Sequence, residues 1–96
     1  MATKIEVEKI DATHFQVRVN QSGTSSTHQV TLDLKYCAKL AGEKAEPEEL
    51  IRKSFEFLLE REPKESILAR FDLTVIGRYF PEYEREIKKL LQPGSL

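Results

Sequence analysis

The first third of the chain alternates apolar and polar residues, while the remainder repeats its apolar residues at helical spacing, and any fold must satisfy both patterns at once. Ile5 and Val7 alternate with Glu6 and Glu8. Phe15, Val17 and Val19 alternate with Gln16, Arg18 and Asn20. Val30 and Leu32, with Leu34 in the same phase, alternate with Gln29, Thr31 and Asp33. Successive side chains of a strand point to opposite faces, so each segment is predicted as a strand with one oily and one wet side. Asp11-Ala12 breaks the first two runs apart, and the stretch from Asn20 to Ser26, which lacks any apolar residue, is predicted as a loop. Connections this short join antiparallel neighbours and give a three-stranded meander. A sheet of that size does not stand alone in water, so its oily face needs a cover.

The second part of the chain supplies one. Tyr36, Cys37 and Leu40 predict a short helix that Gly42 can end. A charged connection, Glu43 to Glu46, leads to Pro47 at a first helical position, with Glu48 and Glu49 favouring the positive end of the helix dipole. Ile51, Phe55 and Leu58 then recur at i, i+4 and i+7, and Leu50, Phe57 and Leu59 widen the apolar face. Pro63 is placed at the end of this helix. Lys64 to Phe71 reads as one or two helical turns. Asp72 is a candidate cap for a helix from Leu73 to Tyr79, with a strand over 73–79 as the competing reading, because Thr74, Val75 and Ile76 are β-branched. Pro81 opens a last helix with Tyr83, Ile87, Leu90 and Leu91 on one stripe, and Pro93-Gly94 ends it.

The fold class expected is therefore α+β, an N-terminal three-stranded antiparallel meander packed against three to four C-terminal helices in one domain over residues 1–96. A chain of 96 residues buries only about 60–65% of the surface its unfolded form exposes, and neither part holds enough apolar residues for a core of its own. Fifteen basic and sixteen acidic side chains nearly cancel, which removes any bulk electrostatic pull toward nucleic acid. The single Cys37 excludes an internal disulfide and fits a reduced compartment. No apolar run approaches the ~18 residues of a membrane span, and no apolar segment of a signal peptide is present near Met1. These features give the expectation of a soluble, cytoplasmic protein.

No residue pattern predicts catalysis or metal binding. His14 and His28 are the only histidines, are expected at exposed strand positions, and have only Cys37 as a further soft ligand. Cys37 lies on an apolar stripe, where a free thiol behaves as a small hydrophobe. The acidic residues of the helices are mixed with Lys and Arg on solvated faces. The loop Ser22-Gly23-Thr24-Ser25-Ser26 lacks the Lys and the second Gly of a phosphate-binding loop and leads into no helix. The aromatics of the second half read as core. Phe57 and Leu59 lie off the main stripe of their helix and face a partner if the chain itself does not cover them.

The stretch from Gln29 to Leu34, the segment Tyr36–Leu40 and the segment from Glu48 to Glu60 together resemble a ribbon-helix-helix module, the fold of certain bacterial repressors and antitoxins. The resemblance covers about residues 29–60. It implies a dimer whose paired strands enter the DNA major groove, with Gln29, Thr31 and Asp33 toward the bases and Lys35 also facing the nucleic acid. Two functions follow as expectations. The first is a small non-enzymatic protein-interaction module without cofactor, acting on another protein or as a homodimer and using the open edge of the sheet. The second is a DNA-binding antitoxin or repressor.

Overall fold

The computed structural model describes residues 3–42 and 45–91. It is an α+β fold in which a four-stranded sheet carries helices on one face. Strand β1 (Thr3–Lys9) pairs antiparallel with β2 (His14–Gln21), and β2 pairs antiparallel with β3 (Thr24–Thr31). After helices α1 (Leu34–Ala41) and α2 (Pro47–Leu59), a short β4 (Arg70–Asp72) adds parallel to β3, making the order β1-β2-β3-β4. Helices α3 (Val75–Tyr79) and α4 (Tyr83–Leu91) complete the fold.

The meander follows the alternation of the sequence. Phe15, Val17, Val19, Val30 and Leu32 are buried on the inner face, while Lys4, Glu6, Arg18 and Thr27 stand exposed on the outer one. The strands run further than the sequence predicts. The polar stretch from Asn20 to Ser26 is a tight hairpin, not a loop, with register Gln21↔Thr24 and only Ser22 and Gly23 at its tip, both at positive φ. Two left-handed residues in succession match the right-handed twist of the flanking strands, which is why a two-residue connection suffices. At the other turn the Asp11 carboxylate accepts from the backbone N–H groups of Thr13 and His14, both at 2.9 Å.

The fourth strand is the main departure from the expected three. The region 64–71, predicted as helical turns, holds one 3-10 turn (Lys64–Ser66) and then β4. Of the two readings for 73–79 the helix is the one found, shortened to Val75–Tyr79; the β-branched residues form no strand, and β4 ends just before them at Asp72. Asp72 does not cap α3 directly. Its carboxylate accepts from the N–H and hydroxyl of Thr74 at 2.9 and 2.7 Å, turning the chain from β4 into the helix. Helix α2 starts with Pro47 in its first turn as predicted but ends at Leu59, with Glu60 as its C-cap, short of Pro63. Gly42 closes α1 at φ 58°, and Asp33 caps its start by accepting from the N–H of Lys35 at 2.8 Å. Leu34, assigned by alternation to the inner face, instead begins α1 and is exposed. Part of the connection between α1 and α2, and Pro93-Gly94, lie outside the described residues.

Helix α2 explains why the two halves share one core. Residues 51, 55 and 58 lie on one stripe and 50, 54 and 57 on the stripe beside it. The first meets the sheet, where the Phe55 ring lies 5.4 Å from His28 and 6.0 Å from Phe71. The second meets the C-terminal helices, where Phe57 lies 5.3 Å from Tyr83 and 5.8 Å from Phe80. Phe55 is fully buried between layers. Replacing it with Ala is expected to cost about 3–5 kcal/mol in urea unfolding. A loss below about 1 kcal/mol would mean that α2 is rotated from this phase.

Candidate functional site

Phe57, offered by the sequence as partner-facing, is 2% exposed. Phe80 and Tyr83 cover one side of it, and the Arg61 guanidinium lies 3.7 Å from its ring centre, held by Glu82 at 3.2 Å. The chain therefore supplies the cover itself, and the helix stripe that carries Phe57 is an inner one. Leu59 is different. It sits half-exposed at the end of α2, beside β1.

His28 also departs from expectation. It is 2% exposed, because β3 keeps Ser26, His28 and Val30 in one phase and that phase faces the core. Its Nδ1 lies 2.8 Å from the Leu68 carbonyl and its Nε2 2.8 Å from the Ser26 hydroxyl. A carbonyl only accepts, so Nδ1 carries the hydrogen and the hydroxyl of Ser26 can donate to Nε2. The ring thus ties β3 to the segment that leads into β4. His14 is exposed, as predicted, and is engaged with Asp11 at 2.8 Å. Neither imidazole is hydrogen-bonded to Cys37, whose thiol is pushed up by burial and by the nearby Glu46 and Glu48 carboxylates, the opposite of what a nucleophile needs. Among the described residues no three His, Cys, Asp or Glu side chains come together as a metal site.

The other buried polar residues, Ser54 and Lys64, are paired, Lys64 with the exposed Glu65, and Tyr36 and Glu84 form a half-buried pair. Ser54 donates to the Leu50 carbonyl at 2.7 Å, which leaves Tyr83 to donate to the Ser54 oxygen at 2.6 Å. Tyr36 donates to Glu84 at 2.9 Å, and Lys39 lies 3.4 Å from the same carboxylate, tying α1 to α4.

Gln29 and Thr31 lie half-buried on the outer face of β3, where Gln29 donates to Gln16 at 3.2 Å. Lys35 is exposed in the first turn of α1. Over Gln29–Thr31, β3 is paired with β2 on one side and β4 on the other. A ribbon formed with a twin strand needs a free edge, and this stretch of β3 has none. Asp33 is occupied as a helix cap.

The sheet's other edge is the three-residue β4, which leaves Thr24–His28 of β3 without a strand on that side among the described residues; the long, uninterrupted edge is β1. Its register with β2 runs without a bulge from Thr3 to Lys9, no proline interrupts it, and among the described residues no strand lies on its other side. The direction of its backbone groups follows from the ladder. The N–H of Gln29 donates to Ala69 on the β4 side, so the backbone groups of Gln29 and Gln16 do not bond to each other, although their side chains do. Alternation then aims the backbone groups of Gln16, Arg18 and Asn20 at β1. Their partners Glu8, Glu6 and Lys4 bond inward to β2, and Thr3, Ile5, Val7 and Lys9 present their N–H and C=O groups outward. The hydrogen bond from Ile10 N–H to the His14 carbonyl at 2.8 Å continues the same phase.

Beside this edge lies an open groove of about 830 Å³ between β1 and α2. Its apolar residues are the half-buried Ile5 and Val7 and the end of α2 at Leu59. Arg52, Glu56 and Glu60 form its helical wall. The third flank of α2 carries these residues, on the side away from α4. A second, smaller groove of about 270 Å³ lies under Leu68 and Tyr79, which are 49% and 69% exposed.

Comparison of the chain with protein-family models, with curated proteins and with solved structures finds no match in any of the three. Among the described residues no helix is long and apolar enough to cross a membrane.

Two measurements test the buried pairs. Ser54→Ala strands the Tyr83 hydroxyl and is expected to cost about 1–3 kcal/mol, whereas Tyr83→Phe leaves Ser54 bonded to Leu50 and should cost about 0.5–1.5 kcal/mol. The reverse order would contradict the donor assignment. Burial pushes both the Tyr36 and Tyr83 phenols above their ordinary range, and for Tyr36 the Glu84 carboxylate adds to this. The folded state therefore holds protons that the unfolded chain releases near about pH 10. That stability is fully present below this value and is lost progressively as the pH rises from there toward the raised folded values, so the urea midpoint should begin to fall above about pH 10 and keep falling as the pH is raised further. A constant midpoint would contradict it.

Proposed function

We propose that the chain is a non-enzymatic protein-interaction module that takes an extended segment onto the open edge of β1. One observation carries this reading: the unpaired backbone row of Thr3, Ile5, Val7 and Lys9 runs alongside a groove with apolar residues. Strand addition draws affinity from the main-chain bonds and selectivity from alternate side chains that enter pockets beside the edge. Both elements are present here. An added residue facing the core side would extend the row of Ile5 and Val7 and rest near Leu59. One facing the other side would meet Lys4, Glu6 and Glu8.

Natural edge strands are protected by bulges, prolines, edge lysines or inward-pointing charges. β1 has neither bulge nor proline, its Lys4, Glu6 and Glu8 lie on the wet face, and Lys9 at its end is the one charge in the phase of Ile5 and Val7, so the groove side of Thr3–Val7 stays apolar. The DNA-binding alternative would need a basic surface able to neutralise phosphates. The sheet face that holds Gln29 and Thr31 instead mixes Lys4, Arg18 and Arg70 with Glu6, Glu8 and Asp72.

The test is selection from a phage-displayed library of random peptides, followed by amide-shift mapping of the selected peptides. Binding peptides are expected to shift Thr3–Lys9 and Leu59 and to be lost in Val7→Pro. That substitution removes an outward donor while sparing the β1–β2 ladder. Peptides that map to another surface, or that bind Val7→Pro equally well, would overturn the reading.

A further inference from the structure

We infer that the segment taken up by the edge is the β1 strand of a second copy of this chain, running antiparallel about a two-fold axis at Glu6; this rests on the strand-addition reading above. The inference follows from registry and charge.

An antiparallel pairing of β1 with itself must keep side-chain parity, so that apolar residues meet on the groove side. Registers centred on Ile5, Glu6 or Val7 do so. Centring on Val7 sets Glu6 against Glu8 twice and brings Lys9 against Ile5. Centring on Ile5 sets Lys4 against Glu6 twice but engages only Thr3–Val7 of the described strand, leaving Glu8 and Lys9 outside the described register. Centring on Glu6 pairs the whole of Thr3–Lys9. Ile5 then lies opposite Val7 at both symmetry-related positions, and each such pair exchanges both backbone bonds, because these are the residues whose N–H and C=O groups face outward. On the wet face Lys4 lies opposite Glu8 of the second copy, again twice. Opposite charges attract across a strand pair, and like charges repel.

The groove adds to this complementarity. The same register sets Lys9 of the second copy opposite Thr3, which lines a groove whose helical wall carries Glu56 and Glu60. The unfavourable element is Glu6 facing its own copy. Each Glu6 has Lys4 of its own strand 3.4 Å away, which offsets part of that repulsion. The product is an eight-stranded sheet continuous across two chains, with both α2 helices on the same face.

Sedimentation equilibrium of the full chain, with the fold checked by circular dichroism, tests the inference by charge exchange. Lys4→Glu and Glu8→Lys should each weaken the dimer on the order of tenfold, since each converts two attractive pairs to repulsive ones. The double variant should return to near the wild-type constant, and Glu6→Gln should dimerise more tightly than wild type. A chain that stays monomeric at millimolar concentration while still binding library peptides at β1 would overturn self-pairing and leave strand addition standing. A dimer whose constant ignores the charge exchange would also overturn self-pairing.

Discussion

The structure depends on α2 being buried on two adjoining stripes. Phe55 meets His28 and Phe71 on the sheet side, and Phe57 meets Tyr83 and Phe80 on the helical side. A chain of this size gains enough from burial only if one core serves all its elements. The same helix that reaches β3 and β4 through Phe55 and runs alongside β1 also gives α4 its contact surface. Ser54, the one polar residue on the inner stripes, is tolerated because it is paired to the Leu50 carbonyl and the Tyr83 hydroxyl. The cost of this arrangement falls on β1. With two flanks of α2 committed, only the charged flank of Arg52 and Glu56 remains beside the first strand, and Ile5 and Val7 stay half-covered. The open edge and its groove are thus consequences of how the core is satisfied elsewhere.

Much of this was legible in the residues. The alternation in 5–8, 15–20 and 29–33 marked the meander, because a period of two survives even where propensities are weak. Gly42 and Pro47 marked helix ends through φ and the missing N–H. The extent of the strands was not legible, since Ser22-Gly23 has the chemistry of a tight turn but is surrounded by polar residues that read equally as a longer loop. β4 was invisible for a different reason. Arg70-Phe71-Asp72 is too short to show a period, and its pairing with β3 depends on a crossover of α1 and α2 that no local pattern specifies.

The candidate site was legible in part. An open-edged sheet follows from a three-stranded meander, but that β1 is the longer open edge depended on β4 covering Gln29–Thr31 of β3. The misreading of Phe57 came from treating α2 as a helix with one buried face. The spacing of Leu50, Ser54 and Phe57 at i, i+4 and i+7 was available as a signal for a second face, although Ser54 disguised it. For His28, strand parity with Val30 and Leu32 already pointed inward; residue type argued against it, and the Ser26 and Leu68 partners outweigh residue type.

The central claim is that sheet and C-terminal helices form one core through α2. Urea unfolding followed by two probes tests it most directly. The tyrosines Tyr36, Tyr79 and Tyr83 report on the helices, since the chain has no tryptophan, and the methyl resonances of Val17 and Val19 report on the sheet. Coincident midpoints are expected. Loss of the tyrosine signal while the Val17 and Val19 methyls remain native would show two separable units and contradict the account.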